Sequence, residues 1–212
     1  MATLDLHEQE QVEALKAWWR ENGKWLLWTL VLTLAGIAAI QGWKSYKSNQ
    51  AMAAATLFAE LEKQADSRDP KRVNDAAEAV INNYGSSAYA PRAALLVAQV
   101  NLQIKDKARA RTQLQWVIQH TSEESLKSVA RLNLVNVLLD EKNFAEALEL
   151  LNAPHPDSFD GLYADLKGDV LGAQGKTEEA RAAYQQALDK TDAKNAYHNL
   201  IRMKQDAIGG KK

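Results

Sequence analysis

From Trp25 to Trp43 the chain reads WLLWTLVLTLAGIAAIQGW, nineteen residues without a charge, with Lys24 before it and Lys44 after it. As a helix this run is roughly 28 Å long at ~1.5 Å per residue, close to the hydrocarbon thickness of a bilayer. Its polar members are Thr29, Thr33 and Gln41. The two threonines can bond back to their own helix backbone, so neither forbids burial in lipid. Trp25, Trp28 and Trp43 stand at the ends, where indoles favour the membrane–water interface, and the flanking lysines can snorkel. A soluble core helix that is apolar all round would be hard to cover in 212 residues, and would have no reason to collect Trp at its ends. A cleaved signal peptide fits less well. The preceding segment carries Asp5, Glu8, Glu10, Glu13 and Glu21, and the apolar run exceeds an ordinary h-region. The run therefore predicts one transmembrane helix over 25–43.

The rest of the composition conceals this anchor. Mean hydropathy is −0.40. With apolar residues at 46% and charged residues at 25%, a multi-span membrane protein and a largely disordered chain are both excluded. The 26 Lys+Arg and 27 Asp+Glu nearly cancel, so nothing points to nucleic acid or to an acidic partner. Without cysteine there are no disulfides, thiolate metal sites or cysteine nucleophiles. Lys16, Arg20 and Lys24 on one side of the span are matched by Lys44, Lys47 and Lys63 on the other, so charge bias does not orient it.

Before the span, Val12, Leu15 and Trp19 recur at i, i+3, i+7 with Trp18 beside them. This predicts a short amphipathic helix within residues 1–24, ended by the Asn22-Gly23 pair. Its apolar side would rest on the membrane surface or on a partner, or serve only as a helical extension. Inside the span, Ala35, Ala38, Ala39 and Gly42 fall on one helix face. Small residues there allow another membrane helix to pack closely, although Ala and Gly are also simply tolerated in lipid.

Beyond residue 44 the chain is rich in Ala, Leu, Gln, Lys and Glu, and is cut into helix-length segments by turn signals such as Asp69-Pro70, Lys105-Asp106, Lys142-Asn143 and Gly175. Ser122, Asn143 and Thr177 stand where helix caps are expected. The stretch 45–66 shows no break from the span and is expected to continue out of the bilayer, holding the later helices near the surface. From Gly168 through Gly175 and Ala180 to Tyr184 and Leu188 the sequence matches the tetratricopeptide pattern. A small residue lets two antiparallel helices touch, a glycine reverses the chain, and an alanine plus an aromatic seat the second helix on the first. Earlier copies centre on Ala147, Ala110 and Ala76, giving spacings of 34, 37 and 33 residues. The expected fold is all-α: a single N-terminal transmembrane helix, then a tetratricopeptide-like array over 44–208, with 209–212 as a flexible tail.

No enzyme signature is present. The four histidines, His7, His120, His155 and His198, form no ligand spacing with acids, and no phosphate loop, dinucleotide fingerprint or nucleophile elbow occurs. No catalytic residue, metal or cofactor is predicted. Asp165 and Asp169, four apart on one helix, are expected to be solvated, and His155 between two prolines to sit in a rigid loop. Repeat arrays act by binding segments of other proteins. The repeat geometry directs Arg92, Leu95, Gln99, Leu102 and Gln103 inward from one first helix. Leu132, Asn136, Leu139 and Asp140 follow from the next, and Leu162, Asp165 and Asp169 from the third. Leucines mixed with amides and carboxylates suit apolar or loosely structured polypeptide. The same leucines also fit a purely structural core.

The run Gln11-Val-Glu-Ala-Leu-Lys-Ala-Trp-Trp-Arg-Glu-Asn-Gly-Lys24, the single span ending Gly42-Trp43, and Ala164-Asp-Leu-Lys-Gly-Asp169 followed by Gly175-Lys and Ala180-Arg181 resemble the YfgM family of ancillary SecYEG translocon subunits. The resemblance covers essentially the whole chain. It implies a single-pass type II protein of the bacterial inner membrane, N-terminus cytoplasmic and repeat domain periplasmic. It further implies partnership with the SecYEG translocon, with a PpiD-like membrane-anchored chaperone and with secreted client polypeptides, which it helps to pass to periplasmic chaperones. A structural scaffold for another envelope complex, and a regulator acting through its cytoplasmic N-terminus, are the competing readings.

Overall fold

The computed structural model describes residues 6–66 and 69–209; the expected tail past Gly209 lies outside them. The helices are α1 (Leu6–Asp66), α2 (Pro70–Tyr84), α3 (Tyr89–Gln103), α4 (Lys107–His120), α5 (Glu124–Asp140), α6 (Phe144–Leu151), α7 (Asp160–Ala173), α8 (Thr177–Asp189) and α9 (Ala196–Gly209), with a 3₁₀ turn at Asp157–Phe159. The chain divides into two compact units at Gln50/Ala51.

The first unit is the N-terminal part of α1, which carries the one described helix apolar and long enough to cross a membrane. Its leucines, isoleucines and tryptophans face outward, unsatisfied by any protein core, as lipid-facing residues must be. Thr29 Oγ1 donates to the Trp25 and Leu26 carbonyls at 3.0 and 2.9 Å, and Thr33 Oγ1 to the Thr29 carbonyl at 2.7 Å. The predicted helix stop at Asn22-Gly23 does not occur: α1 runs through it. Asn22 spends its amide on the Trp18 carbonyl at 3.1 Å. Gly23 supplies room, because a Cβ there would lie 3.2 Å from the Trp19 indole. The pair seats an aromatic ring on a continuing helix.

The second unit is a stack of antiparallel helix pairs, in which sequential helices touch and the first helices α3, α5 and α7 also neighbour one another. The C-terminal stretch of α1 joins it: Leu61 is fully buried with Val73, Ala77, Val80, Ala93 and Val97, and Leu57 and Phe58 pack on that cluster. The main core runs from Ala94 and Leu114 through Leu134 and Leu138 to Leu151, Tyr163 and Val170. A third cluster joins Leu171, Tyr184, Ala187 and Ile201.

The repeat is clearest in its turns. Lys105, Lys142 and Gly175 all adopt left-handed backbone, with φ of 65°, 58° and 78°. At each, the next amide reaches back five residues: Asp106 to the Asn101 carbonyl, Asn143 to Leu138 and Lys176 to Leu171, at 2.8, 2.8 and 3.0 Å. Three copies of one helix-terminating motif follow the repeat period. Where α7 meets α8, a Cβ on Gly168 would stand 2.5 Å from the Tyr184 ring, so this close approach requires glycine. The small residue of the first copy is shifted by one from expectation. Ala77 is buried like Ala110, Ala147 and Ala180, whereas Ala76 is only half-buried. Of the expected caps, Asn143 holds its place but bonds Glu146, not the backbone. The first residue outside α5 is Glu123, and outside α8 Lys176, in place of Ser122 and Thr177.

Candidate functional site

The residues expected to face a bound polypeptide separate by chemistry. Leu95 and Leu102 on α3, and Leu132 and Leu139 on α5, are half-buried and pack against the main core. They therefore hold the repeats together, with only their margins outside. Between them Gln99, Gln103 and Asn136 are exposed; Asn136 Nδ2 donates to the Leu132 carbonyl at 3.1 Å, which leaves its side-chain oxygen outward. Leu162 on α7 is also exposed.

The charged members are engaged by the fold itself. Arg92 bonds Glu123 at 2.9 Å and the Ala88 carbonyl at 2.6 Å. Asp140 pairs with Lys107 at 2.9 Å. Asp165 and Asp169, expected to be solvated, are drawn inward by the last helix: Asp165 is only 3% exposed. Lys204 Nζ donates to Asp165 Oδ2 at 2.7 Å and to Asp169 Oδ2 at 2.8 Å. Tyr197 Oη donates to Asp165 Oδ2 at 2.6 Å, and Tyr184 Oη to Asp169 Oδ1 at 2.7 Å. The second oxygen of Asp165 is buried without a donor. Burial and the carboxylates beside them push both tyrosine hydroxyls well above their ordinary range. Burial alone would lower the Lys204 ammonium; its hydrogen bonds to Asp165 and Asp169 outweigh that and raise it. This five-residue cluster was not legible in the sequence as a unit, because Lys204 lies 39 residues from Asp165. With those charges paired within the fold, what remains unpaired for a ligand is amides and leucine edges, suited to segments that bring little charge of their own.

A second constellation lines a cleft of about 380 Å³ where Leu151, His155, Tyr163, Lys167 and Lys190 meet. His155 stacks on Tyr163 with ring centroids 3.7 Å apart, and its Nδ1 lies 2.9 Å from the Ala153 carbonyl. Asp160 faces His155 Nε2 at 3.4 Å and accepts from Lys190 at 2.7 Å. That hydrogen bond lowers the Asp160 carboxyl and raises Lys190. Stacked on Tyr163 and held at Nδ1, His155 serves as a rigid packing element between its prolines. The described residues hold no cluster of three metal-ligating side chains.

On the first unit Trp25, Trp28 and Trp43 are exposed, and Lys47 Nζ stands 5.7 Å over the Trp43 ring. Ala35, Ala38, Ala39 and Gly42 are exposed along one face, and a Cβ on Gly42 would meet nothing within 4 Å. The helix fits a single-pass, type II inner-membrane anchor.

A family profile described as a tetratricopeptide repeat-like domain matches residues 16–210. The chain is 29% identical over 204 residues to an ancillary SecYEG translocon subunit of Neisseria gonorrhoeae, covering 96% of this chain and 98% of that one. It is 29% identical over 201 residues to the protein of the same name in Escherichia coli, covering 93% and 95%. With its counterpart in Haemophilus influenzae it shares 27% over 203 residues, covering 92% and 98%. No solved structure matches.

Proposed function

The chain belongs to the tetratricopeptide repeat-like domain family, and from that premise we propose that it is a membrane-anchored adaptor of the Sec translocon. It acts by binding, not by catalysis. The observation that carries this reading is that the match to the ancillary SecYEG translocon subunits spans anchor and array together, end to end. Helical repeats alone would indicate only a binding scaffold; a match that also runs through the anchor ties that scaffold to one place.

In this reading residues 1–24 are cytoplasmic, 25–43 cross the inner membrane, and 44–208 form the periplasmic array. Trp25, Trp28 and Trp43 set the depth of the span, and Ala35, Ala38, Ala39 and Gly42 pack against a neighbouring membrane helix. Gln99, Gln103 and Asn136, with the exposed edges of Leu95, Leu102, Leu132, Leu139 and Leu162, contact polypeptides leaving the channel. The array then passes them to a membrane-anchored chaperone of the PpiD kind. Arg92, Asp140, Asp165 and Asp169 shape that surface without offering free charge to a client.

Photo-crosslinking from Gln99 and Asn136 during secretion tests this. Adducts to a nascent secreted chain or to a periplasmic chaperone are expected. Their absence from both positions in actively secreting cells refutes the client-binding role.

A further inference from the structure

We infer that the exposed stripe Val12, Leu15, Trp18 and Trp19 on α1 is a docking surface for a protein, one that is apolar at its centre and acidic at its rim. This rests on the translocon association proposed above and identifies the stripe as a contact surface for that complex.

The stripe is too apolar to be left in water and sits too far from the span to be covered by lipid. Its members are 44, 64, 49 and 52% exposed, in chain order. They recur every three to four residues, so they share one side of the helix. Because α1 passes through Asn22-Gly23 without a break, depth along it follows from the helical rise. With Trp25 at the hydrocarbon boundary, Trp18 stands about 10 Å and Leu15 about 15 Å farther out. The headgroup layer on each side is only about 5–8 Å thick. Trp25 and Trp28 already occupy the interfacial position that indoles favour, so Trp18 and Trp19 form a second aromatic tier beyond the lipid.

That tier is also pre-shaped. The Trp19 indole lies against Gly23, where any side chain would press on it at 3.2 Å. Leu15, Lys16, Trp18, Trp19 and Arg20 border one shallow, open cleft along the helix surface. Rigid aromatic anchors of this kind lose little conformational freedom on binding and dominate interface energetics. Lys16 and Arg20, four residues apart at the cleft edge, form no ion pair among the described residues. The Lys16 ammonium and the Arg20 guanidinium beside the apolar centre can pair with carboxylates at a partner's margin.

The test uses the full-length chain co-reconstituted with purified translocon in phosphatidylethanolamine and phosphatidylglycerol vesicles, with a photoreactive phenylalanine at position 15 or 18. Adducts to a translocon subunit are expected from both positions, with little yield from positions 13 and 17 on the opposite side. The paired change Lys16→Glu and Arg20→Glu is expected to abolish those adducts. W18A should weaken association by about tenfold or more, as ordinary for loss of a buried aromatic anchor. Adducts to lipid alone, or equal yields around the helix, overturn the proposal. So does a chain that co-purifies with the translocon yet gives no protein adduct from 15 or 18, a result that leaves the translocon association standing. A chain that does not co-purify at all removes both.

Discussion

Lys204→Met is the sharpest probe of how the C-terminal helix is held. Asp165 is 97% removed from solvent and takes both its donors, Tyr197 at 2.6 Å and Lys204 at 2.7 Å, on one oxygen, while the other has none. Removing the ammonium leaves a buried carboxylate with a single neutral donor. Stripping one partner from a fully buried ion pair costs about 3–5 kcal/mol. The Lys204 side chain keeps 27% of its exposure, so part of its charge is already hydrated, and about 2–3 kcal/mol is the better expectation here. Asp169 contributes less, being more open and retaining Tyr184. In a linear repeat the loss should stay local, appearing as opening of α9 and not as collapse of the array. Hydrogen exchange of the intact protein in detergent reads this directly. Amides of α9 should exchange about 30- to 150-fold faster, with 1.4 kcal/mol per tenfold, while those of α3 remain unchanged. The double change Asp165→Asn with Lys204→Met should recover most of the loss, because it removes the buried charge along with its partner. An α9 rate within threefold of the parent, or a double variant as open as the single, would refute the role of Lys204 in holding α9.

Alkaline pH should act on the same cluster. The Tyr184, Tyr197 and Lys204 protons are all held above their ordinary range in the folded state, so their contribution is complete below about pH 10 and lost as pH rises beyond it. Thermal unfolding of the array between pH 8 and 11 should fall most steeply at the top of that range; the drop should be shallower in Y184F, and equal slopes would contradict the assignment. Gly168→Ala places a methyl 2.5 Å from the Tyr184 ring and should cost about 2–3 kcal/mol in denaturant unfolding, the range expected of overpacking. A neutral result would mean that the α7–α8 approach can widen freely.

Much of this fold could be read in the sequence where one residue type enforces one geometry. Nineteen uncharged residues between lysines leave little alternative to a span, and Gly168 and Gly175 carry their reasons openly: contact distance in one, left-handed backbone in the other. The same turn at Lys105 and Lys142 is hidden because lysine bears the left-handed strain without advertising it. There the signal is the following Asp106 and Asn143. The slip from Ala77 to Ala76 has a similar origin: adjacent alanines are indistinguishable until packing selects the one on the inner face.

Asn22-Gly23 and the Asp165–Asp169 pair depart from expectation for a common reason. Taken in isolation, those residue types make a helix end and a solvated acid face. The outcome is decided by a side chain elsewhere: Trp19 one turn before Gly23, and Lys204 on the last helix. Gly-for-space and Gly-for-φ cannot be separated without knowing what lies over the glycine, and a carboxylate's exposure depends on whether a later element brings a counter-charge. In both cases the binding surface is altered. In the proposed topology a continuing helix carries Trp18 and Trp19 out past the headgroups, and a closed acidic cluster leaves the array's candidate surface without free carboxylates on α7. If both hold, the protein meets its partners through two chemically distinct surfaces, a cationic aromatic stripe before the membrane span and an uncharged amide–leucine surface on the array. Raising ionic strength should then weaken crosslinking from position 18 while leaving crosslinking from Gln99 unchanged, because only the first contact depends on exposed charge. Equal salt sensitivity at the two positions would show that this division is wrong.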